Sequence, residues 1–232
     1  MAVPPKTDEA FLREVDEELR RDQLTSAWER YGKLAVGLVV LGLALFAGYL
    51  YWQHRQTQAA AVEGEQLQAA YDALASRPNA APPQLPALAA SKVDGYRATA
   101  RFLQADQQLT KDDLKGAAAT FAGIAADTSL AQPFRDLALI RQTNAEFDTL
   151  KPDVVLSRLK PLAVSGNAWF GSAGELVAAA YLRQNKTDAA AQMFAAIARD
   201  DKVPATIRQR AVQMSGAMGV DAVAQLQEKK AS

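Results

Sequence analysis

Nineteen consecutive residues, Leu34 to Trp52, read LAVGLVVLGLALFAGYLYW and carry no charge. At about 1.5 Å rise per residue such a run makes a helix of roughly 28 Å, close to the hydrocarbon thickness of a bilayer. A single segment in lipid satisfies its own backbone groups only as a helix. The chain must therefore accommodate one long apolar helix that needs no protein core around it. Trp28 and Tyr31 precede the run, and Tyr49, Tyr51 and Trp52 close it. Their amphipathic rings suit the two headgroup zones.

A cleavable signal peptide would have a short basic lead and an apolar stretch of about 7–15 residues. Here 33 residues precede the run, many of them acidic, and the run is longer. Ala59-Ala60-Ala61 imitates a small-residue cleavage site but lies well past Trp52. A retained anchor spanning Leu34 to Trp52 is the expectation. Arg20, Arg21, Arg30 and Lys33 flank its N-terminal end, and only Arg55 lies near the other. That asymmetry places the N-terminus in the cytoplasm. Residues from about 53 onward then lie on the far side, the periplasm if the membrane is a bacterial inner membrane. Ala44 and Gly48 form a small-xxx-small pair, a weak signal for helix association.

Composition removes several kinds of chemistry. With no cysteine, the chain has no disulfide, Cys-based zinc site or thiol nucleophile. The one histidine, His54, sits two residues past the apolar run, where a Ser-His-Asp triad would have to be built against headgroups. No dinucleotide, P-loop or HExxH pattern occurs. Lys plus Arg equals Asp plus Glu at 26 each, so no overall basic field recruits nucleic acid. A non-enzymatic protein is expected, with no cofactor, no metal and no small-molecule substrate.

Four segments are read along the chain: 1–33, a charged cytosolic stretch; 34–52, the membrane helix; 53–91, a helical stalk and Pro-rich connection; and 92–232, a repeat domain. In the first, Phe11, Leu12, Val15 and Leu19 form an apolar stripe on a charged helix, a candidate docking face for a cytosolic partner. A bend is expected near Thr25 and Ser26, where a new helix can be capped. In the stalk, Leu67, Tyr71 and Leu74 mark one face at helical spacing. Pro78, Pro82, Pro83 and Pro86 then break the helix, so this stretch reads as a connection rather than an element.

Beyond it the chain is rich in Ala, Leu and Gln, without alternating strands, and it repeats. Residues 117–138 align with 190–211 at an offset of 73, pairing Phe121 with Phe194, Ile124 with Ile197, Asp127 with Asp200 and Arg135 with Arg208. A degenerate copy lies between, with Leu159, Leu162 and Ala163 in the places of Phe121, Ile124 and Ala125. A period near 34–38 in an all-helical chain marks tetratricopeptide-like helix pairs. The expected fold is all-α: one transmembrane helix, then an α-solenoid of about three pairs, roughly 92–126, 132–164 and 168–200, closed by a segment from Pro204. Small residues such as Ala118 and Ala191 permit close approach, and Phe121, Leu159 and Phe194 fill the space between neighbours. Glu228, Lys229 and Lys230 suit the polar outer face of a terminal helix.

In such a stack the first helices of the pairs line the concave side, where a partner segment lies. The candidate partner-binding residues are Arg97, Arg101, Arg135, Arg141, Asn144, Trp169, Phe170 and Tyr181. Exposed, Trp169 and Phe170 would be a binding hot spot; buried, they would wedge the second and third pairs together. The in-register recurrence of Arg135 and Arg208 favours a structural role for both.

Several motifs carry a resemblance over nearly the full chain: FLREVDEELRRDQ (11–23) with RYGK (30–33), the apolar run, FRDLALIRQ (134–142) and WFGSAGELVAAAYLRQNKTDAAAQMF (169–194). With them the chain resembles the YfgM-like family, ancillary subunits of the bacterial SecYEG translocon, and its long charged N-terminus looks like the alphaproteobacterial branch. The resemblance implies a single-pass inner-membrane protein with a periplasmic repeat domain. It further implies association with the translocon and with PpiD, a membrane-anchored prolyl-isomerase-like chaperone, in passing emerging proteins to periplasmic chaperones. It carries no catalytic residues. Two other roles suit the same architecture: an envelope stress regulator holding a cytosolic protein, and a scaffold for another envelope assembly machine.

Overall fold

Helix α1, Thr7–Ser76, runs straight through the apolar segment. The computed structural model describes residues 7–77 and 80–222, with side chains from Trp28 onward, residue 35 excepted. Eight more helices follow among those residues: α2 (Leu85–Leu88), α3 (Asp94–Thr110), α4 (Leu114–Ala126), α5 (Gln132–Ala145), α6 (Pro152–Leu159), α7 (Phe170–Arg183), α8 (Thr187–Arg199) and α9 (Ala205–Ala217). The bend and fresh cap expected at Thr25 and Ser26 do not occur, because α1 passes through both without interruption. Neither Pro nor Gly lies between Pro5 and Gly32, so nothing forces the backbone to give up its i→i−4 ladder.

The chain forms two compact units, Met1–Ala61 and Val62–Ser232. In the first, the described side chains of the apolar run are exposed: Leu38 is 68% and Leu45 68% exposed. The stretch Trp28–Ser76 is long and apolar enough to cross a membrane, with mean hydropathy 2.2 over its best window.

The second unit opens on the end of α1. Leu67 and Ala70 pack with Leu85 and Leu88 of α2 and with Ala100 and Leu103 of α3. The stalk face is therefore Leu67, Ala70 and Leu74, not the face carrying Tyr71, which is 44% exposed. Ala70 can sit against α3 where a tyrosine ring cannot, and Gly64 likewise meets the Tyr96 hydroxyl. The Pro-rich stretch holds one helical turn, α2, with Pro86 in its first turn, where a missing amide costs nothing.

Three pairs follow, α3–α4, α5–α6 and α7–α8, closed by α9 against α8. The 73-residue offset is structural as well as sequential. Both α3 and α7 end in a left-handed residue, Asp112 (φ 61°) and Asn185 (φ 58°), residue types that tolerate it. The next amides, of Asp113 and Lys186, donate back to the carbonyls of Gln108 (2.8 Å) and Tyr181 (2.9 Å). Helix α4 starts on Asp113, whose Oδ1 accepts from the Gly116 amide at 2.9 Å. At the far end, Asp127 and Asp200 accept from the amides of Ser129 (3.1 Å) and Lys202 (3.0 Å) in matching turns.

Phe121, Ile124, Ile197 and Leu159 are fully buried and Phe194 nearly so, each in the cluster of its own pair. The middle copy is degenerate in shape too. Helix α6 has 8 residues, and Pro161 ends it, so Leu162 and Ala163 reach the core from a turn. Close approach of α7 to its neighbours rests on glycine: a Cβ on Gly171 would lie 2.7 Å from Val203 Cγ1, and one on Gly174 2.8 Å from Ile197 Cδ1.

Candidate functional site

Three of the candidate arginines are held by carboxylates from neighbouring helices or turns. On α3, Arg97 donates to Asp94 (2.8 Å), to the Ser129 hydroxyl (2.8 Å) and to the Ser91 carbonyl (2.9 Å). Its side chain is 14% exposed. One turn on, Arg101 donates to Asp127 at 3.1 Å, and Arg97 Nε lies 3.7 Å from the same carboxylate. On α5, Arg141 pairs with Asp106 of α3 and covers the Phe121 ring, 4.9 Å from its centroid. Asp127 thus ties α3 to the end of α4 within the first pair, and the Arg141–Asp106 pairing fastens the second pair to the first.

Asp127 carries the densest part of this set. The Ser129 hydroxyl first, then the Ser129 amide and the charges of Arg97 and Arg101, outweigh its desolvation and hold its carboxyl below the ordinary value. Its counterpart Asp200 is held down first by the Ser165 hydroxyl, with help from the amides of Lys202 and Gly166 and the charge of Lys202. Arg210 is raised by its hydrogen bond and charge pairing with Glu175.

The other candidates are dispersed. Arg135 donates to Gln132, yet its Nε is buried without a partner; Arg208, its counterpart, shares that feature. Asn144 is exposed. Phe170 is 3% exposed and belongs to the α7–α9 core, while Trp169 packs beside it on the α6–α7 core. Tyr181 touches both cores, with the Lys160 ammonium 5.5 Å from its ring centroid. The structure thus joins Arg97 to Arg101 through Asp127 and sets Trp169 and Phe170 side by side. It does not gather all eight into one patch. Phe11, Leu12, Val15 and Leu19 have side chains outside the described residues.

One surface feature escaped the sequence reading. A groove of about 400 Å³ runs between α4 and the turn after α5, lined by Leu114, Ala118, Ala119, Ala122, Ala145 and Thr149. In the third copy the matching positions hold Gln192 for Ala119, Met218 for Ala145 and a buried Ala222 for Thr149. Gln192 and Met218 are larger than the alanines at the matching positions of the first copy, whereas Ala222 is smaller than Thr149. The signal was the breakdown of the repeat at those positions, which an alignment of 117–138 only partly covers.

No curated protein and no solved structure matches the chain. The tetratricopeptide repeat-like domain family does match, over residues 26–217, from eight residues before the apolar segment to the end of α9. Domains of this kind offer extended surfaces to other proteins. The helix pairs and that span together establish that the chain belongs to the tetratricopeptide repeat-like domain family.

Proposed function

We propose that the protein is a non-enzymatic, membrane-anchored adaptor. Leu34 to Trp52 spans the bacterial inner membrane once, with the N-terminus in the cytoplasm and the repeat domain in the periplasm. The observation that carries this reading is a helix-pair scaffold in a chain whose other compact unit holds a helix long and apolar enough to cross a membrane. A scaffold built from such pairs offers extended surface to a polypeptide and is tethered where that polypeptide emerges.

The finer identity rests on the YfgM-like resemblance: the translocon as the neighbour in the membrane, and a PpiD-like chaperone or an emerging client at the repeat domain. Of the sequence candidates Phe170 is buried, Asn144 is exposed and the other six are half-buried; Asn144, Trp169 and the α4 groove with Leu114 are taken as the contact region to test. The test is capture of the full-length protein from its native membrane in mild detergent, with photocrosslinkers at Leu114, Asn144 and Trp169. Translocon subunits and a periplasmic chaperone are the expected products. Their unchanged recovery after deletion of residues 92–232 would remove the repeat domain from the role.

A further inference from the structure

We propose that Arg55, held upright by Tyr51, is a phosphate-binding site for a phospholipid headgroup at the C-terminal end of the apolar helix. This rests on the membrane reading above. Arg55 is the one Lys or Arg between Lys33 and Arg77, and it falls three residues past Trp52. Its Nε donates to the Tyr51 hydroxyl at 3.2 Å, and its guanidinium carbon lies 5.7 Å from the Tyr51 ring centroid. With Nε committed, the two terminal nitrogens form the outer fork of the guanidinium, the edge that grips two oxygens of one phosphate.

The surroundings leave that fork to an external anion. Glu63, Glu65 and Asp72 are the next charges along the helix, and the first lies more than two turns away. His54 Nε2 is engaged with the Gln58 side chain at 3.0 Å, and Thr57 donates back to backbone carbonyls. At 100° per residue, Tyr51, His54, Arg55 and Gln58 share an arc of about 100°. Tyr51 is 63% exposed and Trp52 58%, so ring and cation both face outward, the ring at acyl-chain depth and the cation a turn above it. Charge complementarity then selects the phosphate group, the anion that phospholipids share in the headgroup layer.

The test uses full-length protein carrying arginine labelled with ¹³C at Cζ, in phosphatidylglycerol–phosphatidylethanolamine bilayers, with ³¹P dephasing of the arginine signal as the readout. The wild type minus Arg55→Gln difference isolates this site from the arginines at the other end of the helix. A dephased component lost in Arg55→Gln and reduced in Tyr51→Phe is expected. Equal dephasing in wild type and Arg55→Gln overturns the proposal. A second arm uses galactolipid bilayers, which hold no phosphorus, with excess inorganic phosphate. No contact is expected there, and contact would make free phosphate the ligand and overturn the headgroup assignment. Alkaline extraction of the wild type separates the two levels: release from the bilayer refutes the anchor itself, whereas retention with no Arg55 contact refutes only this site.

Discussion

Phe121 and Phe194 occupy the same position in two copies of one repeat, yet their removal is predicted to cost different amounts. Both rings are essentially buried, at 0% and 5% exposure, so truncation to alanine has a shared cost of about 3–5 kcal/mol for lost burial and the remaining cavity. The neighbours differ. Phe121 has the Phe102 ring at 6.0 Å and the Arg141 guanidinium at 4.9 Å. At the corresponding positions around Phe194 stand Glu175 and Met214. A tilted aromatic pair contributes about 0.5–1.5 kcal/mol beyond burial, and a partly shielded cation over a ring about 0.5–2. Phe121→Ala should therefore be more destabilising than Phe194→Ala by roughly 1–3.5 kcal/mol. Urea unfolding of the full-length protein in detergent micelles, followed by circular dichroism, measures both. A cycle with Arg141→Met, the residue type of the other copy, isolates the cation. Its coupling to Phe121 should be about 0.5–2 kcal/mol. Equal costs for the two phenylalanines, or zero coupling, would refute the claim that these neighbours separate the copies.

Two further outcomes follow from the geometry. Asp127 and Asp200 both have carboxyl groups held below their ordinary value in the folded state, so each favours folding above about pH 4, the unfolded value, and that contribution is lost as pH falls through the lower folded value. Asp127→Asn and Asp200→Asn should flatten the acid limb of a melting-temperature profile while changing the neutral region in the destabilising direction; an unaltered acid limb would show that other carboxylates govern it. Gly171→Ala drives a Cβ to 2.7 Å from Val203 and should cost about 1–3 kcal/mol, whereas Gly123→Ala, in open space on α4, should stabilise by about 0.5–1. Thermal denaturation of the two variants should show shifts of opposite sign, and a shared sign would mean α7 relaxes more freely than its packing indicates.

The helical segments and their repeat were legible in the sequence because both are local. Apolar spacing, Pro133 and Pro204 at pair boundaries, and a 73-residue echo need no knowledge of what touches what. The apolar run was the plainest signal of all, since its length and lack of charge fix a helix whatever surrounds it. Periodicity misled where two registers compete: Leu67–Tyr71 and Leu67–Ala70 are both helical spacings, and only the approach of α3 selects alanine. The α2 turn was hidden for a similar reason, its prolines being breakers in mid-helix but acceptable in a first turn.

The fate of the arginines was decided by tertiary structure alone. Arg101 and Asp127 stand 26 residues apart, and Arg141 and Asp106 35 apart, so their pairing depends on how α3, α4 and α5 pack. The α4 groove likewise depends on how α4 meets the turn after α5, which no local pattern states. A sequence states which residues recur along a helix; the distance between helices, set by glycine and alanine at their crossings, determines which charges meet and which surfaces stay open.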